Sequence, residues 1–181
     1  MEQSEAAAIE QARAGDPEAF RVLVEQHSRT VFRLAYRMTA NEQDAEDTVQ
    51  ETFLRAYRQI RQFDARSKFS TWICRIAVNC SLDLLRARQR RRESEDPIIP
   101  DSAAGDQPSP ERLAFSRQVQ RKVTAALAEL SPAERAAFVL RHFEGVSVGE
   151  IAGVLGHSNG ATRHSVFRAV QKLRRALEPL R

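Results

Sequence analysis

Residues 131–177 read SPAERAAFVLRHFEGVSVGEIAGVLGHSNGATRHSVFRAVQKLRRAL, and three helix starts are written within them. Ser131, with Pro132 next and Glu134 three residues on, combines a capping box with proline at the first helical position. The helix it starts carries Ala137, Leu140 and Phe143 and stops at Gly145. Ser147 and Glu150 repeat the spacing; Val148, Ile151, Ala152 and Leu155 give that short helix an apolar side, and it ends at Gly156. Ser158 then caps a last helix that reaches Leu177. A short helix, a tight glycine turn and a longer helix make a helix-turn-helix, whose second member enters the major groove of a duplex. The packing stripe of that second helix is Thr162, Val166, Ala169, Val170, Leu173 and Leu177. Its opposite face shows Arg163, His164, Phe167, Arg168, Gln171 and Arg175. Arginine bonds guanine bidentately and an aromatic ring can meet a thymine methyl, so this face suits base reading. The plainer alternative is a solvated basic face on an ordinary helical hairpin.

Upstream, apolar positions again recur at helical steps. Asp16-Pro17-Glu18 marks a start, followed by Phe20, Leu23, Val24, Val31, Leu34, Ala35 and Met38. A second helix begins near Asp44 and buries Ala45, Val49, Phe53, Ala56 and Ile60; a third runs from about Ser70 into an arginine-rich end. A further helix, marked by Val119, Val123, Leu127 and Leu130, precedes Ser131.

The 181 residues carry 28 basic and 24 acidic groups, unevenly placed. Residues 1–92 hold 16 basic and 13 acidic groups, residues 93–112 hold 1 and 6, and residues 113–181 hold 11 and 5. The acidic strip contains four of the seven prolines, so it reads as a linker; its twenty residues could span up to ~70 Å when extended. No apolar run is long enough for a membrane span. With no basic and apolar leader at the start, the expected address is the cytosol. Cys74 and Cys80, six residues apart on one helix, are too distant to pair.

Two further constellations bear on function. Between Asn41 and Glu51 stand five acidic groups and no basic one, with Asp47, Gln50, Glu51 and Leu54 on one helical stripe. A solvated face, a surface for a protein partner, or a metal site for a nuclease using Asp44, Glu46, Asp47 and Glu51 all fit that pattern. Leu54 favours a partner over an aqueous metal. The third element, a loop and the helix after it, interleaves rings and cations: Phe63, Lys68, Phe69, Trp72, Arg75 and Asn79, then Arg86, Arg88, Arg90, Arg91 and Arg92. Single-stranded nucleic acid needs such stacking surfaces beside cations, but rings at this spacing also suit a core.

The runs GDPEAF (15–20) and DAEDTVQETFLRAYRQIRQFDARSKFSTWICRIAVNCSLDLLR (44–86) strongly resemble region 2 of the extracytoplasmic-function (ECF) sigma factors, the small specificity subunits of bacterial RNA polymerase. Residues 130–177 resemble their region 4, with a linker where region 3 would stand. The resemblance implies an all-α chain of two small helical bundle domains: 1–92 as region 2, 93–112 as a flexible acidic linker, and 113–181 as region 4. It implies an initiation factor rather than an enzyme, without cofactor or metal, whose partners are core RNA polymerase, promoter DNA and an anti-sigma factor. Asp47, Gln50, Glu51, Phe53, Leu54 and Arg55 match the segment that binds the clamp helices of the largest polymerase subunit. Phe63, Ser67, Lys68 and Phe69 match the loop that captures a flipped minus-10 base. Trp72, Arg75, Ile76 and Asn79 match the helix that reads that element. Ser158, Arg163, His164, Phe167 and Arg168 match the minus-35 helix. Ala161-Thr162 departs from the family's usual Thr-Val, which places a polar side chain at a packing position. A helix-turn-helix regulator acting without polymerase is the alternative.

Overall fold

The computed structural model describes residues 4–94 and 121–178. The chain opens with α1 (Glu5–Ala14), which the apolar pattern does not announce because the positions it buries, Ala8 and Ala12, are alanines. Ser4 caps it by accepting from the Ala7 N–H at 3.3 Å, and Gly15 closes it at a φ of 103°, a left-handed conformation that glycine adopts without strain. Asp16 caps α2 (Pro17–Thr39) through hydrogen bonds from the Glu18 and Ala19 N–H groups, with Pro17 in the first turn as expected. Helix α3 (Glu42–Gln59) begins two residues before the expected Asp44, because the Asn41 side chain accepts from the Asp44 N–H at 3.0 Å and so caps it. A 3-10 turn (Ile60–Gln62) and an exposed loop lead into α4 (Phe69–Ser94).

Helices α2, α3 and α4 pack on one another and α1 lies against α2. Their interior holds Phe20, Leu23, Leu34, Met38, Phe53, Phe63, Phe69, Ile73 and Ala77. Helix α4 runs through residues 93 and 94, beyond the expected start of the linker, and the rest of that strip, with Val119, lies outside the described residues.

The second half comprises α5 (described residues 121–128), α6 (Pro132–His142), α7 (Val148–Leu155) and α8 (Asn159–Leu177). Both capping boxes close in both directions, at Ser131 with Glu134 and at Ser147 with Glu150. Gly145 and Gly156 turn the chain at φ 67° and 65°. Thr162 fills its packing position without cost in polarity: it is fully buried, and its hydroxyl donates to the Ser158 carbonyl at 3.0 Å.

Helix α6 is a wall shared by two cores. One face, with Ala136, Val139 and Leu140, joins the interior of α1–α4, while a smaller cluster of Ala126, Leu127, Leu130, Ala169 and Leu173 binds α5 to α8. The two modules therefore pack together. Arg135, buried in α6, donates to the Met38 carbonyl at the end of α2 and to the Ala128 and Leu130 carbonyls at 2.7 and 3.3 Å. Arg37 lies 4.0 Å over the Phe143 ring and 3.8 Å from Glu144.

Candidate polymerase and promoter surfaces

The outer face of α8 is built as its periodicity requires. Thr162, Ser165, Ala169 and Leu173 turn inward, and Arg163, His164, Phe167 and Arg168 stand in solvent. Phe167 is 62% exposed, an unusual position for a large ring with no aromatic partner among the described residues. Ser158, at the N-cap, accepts from the Ala161 N–H at 3.2 Å and is itself exposed. One turn further along, Arg168 Nε lies 3.4 Å from Glu134, whose carboxylate also takes Lys172 at 2.7 Å. Glu134 is buried, which opposes its charge, yet hydrogen bonds from Lys172 and Ser131 outweigh that and hold its carboxyl below the usual range.

The acidic stripe on α3 is open. Asp47 and Gln50 are exposed, Glu51 is half-buried and Leu54 is 45% exposed; Gln50 also borders a hollow of about 380 Å³ with Phe32, Glu46 and Val49 among others. Tyr57, which the sequence pattern does not single out, extends the stripe by another exposed ring, edge-on to Phe20 at 5.0 Å. Phe53 does not belong to this surface. It points into the core between α2 and α3, so its part is to set the helix in place. Arg55 bridges Glu51 at 2.6 Å and Asp83 on α4 at 3.0 Å. The carboxylates do not converge on a cation: Asp44 is buried against Arg88 at 2.5 Å, and no group of three or more His, Cys, Asp or Glu among the described residues could hold a metal.

Opposite signs of pKa shift accompany these two buried carboxylates. Burial pushes Asp44 up despite Arg88, whereas Glu134 is pushed down. A depressed carboxyl stabilises the fold above its ordinary value of 4.5 and loses that contribution as pH falls through the folded value; a raised one acts in the opposite sense. In urea unfolding between pH 3 and 7, Glu134→Gln should flatten the acid loss of stability and Asp44→Asn should steepen it. Unchanged slopes in both would contradict these shifts.

The third surface requires corrections. Phe63 and Phe69 are only 3% and 2% exposed, with ring centroids 5.7 Å apart and 5.2 and 5.5 Å from Trp72. They form an aromatic core beneath the loop and cannot stack on a base as they stand. Ile76 is likewise buried, against the body of the bundle. The accessible groups are the loop itself, with Lys68 exposed and Ser67 half-buried, and then Trp72, Arg75 and Asn79, of which Asn79 is exposed. Asp64 accepts from the Arg66 N–H at 3.1 Å and pairs with its guanidinium, which shapes the loop around Ala65 at a φ of 57°. Arg75 is engaged by Glu150 of α7. Cys74 is buried beside it and donates to Glu144 at 3.7 Å, and burial pushes its thiol up to about 12.

The order of these surfaces along the chain is matched by two family models. "Sigma-70 region 2" covers residues 23–91 and "Sigma-70, region 4" covers residues 120–173. The RNA polymerase sigma-H factor of Pseudomonas aeruginosa is 35% identical over 95% of this chain and 93% of its own length. The ECF RNA polymerase sigma factor SigE of Mycolicibacterium smegmatis is 40% identical over 84% of this chain and 59% of its own length. The chain is an ECF sigma factor. Among solved structures, CnrH in complex with the cytosolic domain of CnrY shares 29% identity and a TM-score of 0.66, covering 98% of this chain and 99% of that one. A sigma factor works as an initiation factor with core RNA polymerase and promoter DNA. The region 2 match beside region 4 favours that reading over a helix-turn-helix regulator acting without polymerase. No helix among the described residues is long and apolar enough to cross a membrane.

Proposed function

We propose that this sigma factor divides its work among the three surfaces. Asp47, Gln50, Glu51 and Leu54 of α3, with Tyr57, bind the clamp helices of the largest polymerase subunit. The loop from Asp64 to Lys68, with Trp72, Arg75 and Asn79, takes minus-10 bases as the strands part, and the buried Phe63, Phe69 and Ile76 hold that apparatus rigid. Arg163, His164, Phe167 and Arg168 read the minus-35 duplex, and Ser158 fixes the N-terminus of their helix. Residues 1–92 and 113–181 act as the two DNA-binding domains joined by 93–112. The work takes place in the cytoplasm, without a catalytic step of its own. A regulatory protein of the anti-sigma kind is the further partner; the similar chain CnrH is itself in complex with another protein, the cytosolic domain of CnrY.

The observation that carries this reading is the solvent-facing row on α8, a ring 62% exposed among arginines, on a chain whose α3 also presents an unpartnered leucine amid carboxylates. Physically, two weak modules on one polymerase reinforce each other by effective concentration. Unstacking costs a few kcal/mol per base, which captured bases and arginine–phosphate contacts offset. Core polymerase reconstituted with the chain should start transcription at defined sites. In that assay Arg168→Ala should weaken use of one minus-35 base pair by ~1–3 kcal/mol. Failure to initiate on any member of a promoter library would overturn the assignment.

A further inference from the structure

Glu134 stands outside the surfaces described above, yet it is tied to one of them. It is the third residue of α6, its residue surface is 5% exposed, and its carboxylate accepts from the Ser131 N–H at 3.1 Å and from Lys172 Nζ at 2.7 Å and forms an ion pair with Arg168, whose Nε lies 3.4 Å away. The first contact belongs to the capping box. The other two cross to α8 and grasp cations one helical turn apart. A helix cap needs neither.

We infer that Glu134 is a positioning residue for promoter specificity, orienting Arg168 so that its guanidinium meets a minus-35 base edge in a fixed geometry. This rests on the reading of α8 as the minus-35 helix. The contact engages Nε, and the two terminal nitrogens of a guanidinium carry the paired donors that a guanine accepts. A long side chain held at one end loses less freedom when its other end binds. Glu134 is anchored in turn by the Ser131 backbone, so the support is attached to α6 rather than to another mobile side chain.

Glu134 also brings negative charge close to a phosphate backbone, so its removal should not weaken DNA binding uniformly. The effect belongs in discrimination. Glutamine retains the capping geometry, which makes Glu134→Gln the informative variant. Core polymerase is reconstituted with the full-length wild-type, Glu134→Gln, Arg168→Ala and doubly substituted chains, and occupancy is measured on promoters altered at each minus-35 base pair in turn. Glu134→Gln should lower the preference at one base pair about 5- to 10-fold and leave the others unchanged. That pair should be the one affected by Arg168→Ala, and the double variant should be no worse than Arg168→Ala. Wild-type preference in Glu134→Gln, equal loss at every pair, or additive loss in the double variant would overturn the inference. If Arg168→Ala itself alters no base pair, the reading of α8 falls first and takes this one with it.

Discussion

Replacing Arg135 with alanine should cost the folded chain about 3–5 kcal/mol, which for a chain of this size lowers the melting temperature by roughly 6–20 °C. The guanidinium is buried, and burial lowers its pKa, so its position is costly unless its donors are used. They are. It donates to carbonyls at the ends of two helices, Met38 of α2 and Ala128 of α5, and to Leu130 between α5 and α6. Helix C-termini have carbonyls with no partner of their own, and alanine would strand all three. Lysine, a point charge without the fork, should recover only part of the loss. Methionine should restore packing but none of the hydrogen bonds. Chemical unfolding of the three variants gives the comparison, and a loss below about 1 kcal/mol for alanine would mean that solvent reaches these carbonyls.

A second large effect is expected on assembly. The double variant Asp47→Arg, Leu54→Arg should bind core polymerase about 100-fold or more weakly than wild type, as for the loss of a central anchor and its neighbouring charge. Its stability should stay within about 0.5 kcal/mol, because both side chains are exposed and neither supports the bundle. Phe53→Ala is the contrasting case. That ring is buried, so its removal should destabilise the fold by about 3–5 kcal/mol. Affinity for core polymerase measured beside thermal melts separates the two; retained binding by the arginine variant would move the contact away from α3.

Much of this architecture is local chemistry and therefore legible in the chain. Ser131 with Glu134, Ser147 with Glu150 and Asp16 with Pro17 place three helix starts from a few residues each, and the inward stripe on α8 follows from its spacing. The start of α3 is offset because the capping amide of Asn41 precedes the acidic run, and α1 is silent because alanine makes a weak periodic signal. Exposure of the aromatic loop was not legible, since a ring beside cations has the same pattern whether it faces a base or a core. Arg135, Glu144 and Glu150 show the same limit on a larger scale. Their partners Met38, Cys74 and Arg75 lie 70 or more residues away, and no periodicity encodes such a pairing.

With Arg75 proposed as a minus-10 contact, its ion pair with Glu150 gives the first meeting with a promoter a particular character. An anion already sits on the guanidinium, so a phosphate or base acceptor arrives as a replacement for a resident ligand. Such an exchange is close to balanced in charge, and its outcome is set by how many other bonds the newcomer brings with it. A lone stretch of nucleic acid gains little by the swap, whereas a strand held in register by the polymerase gains all its remaining contacts at the same moment.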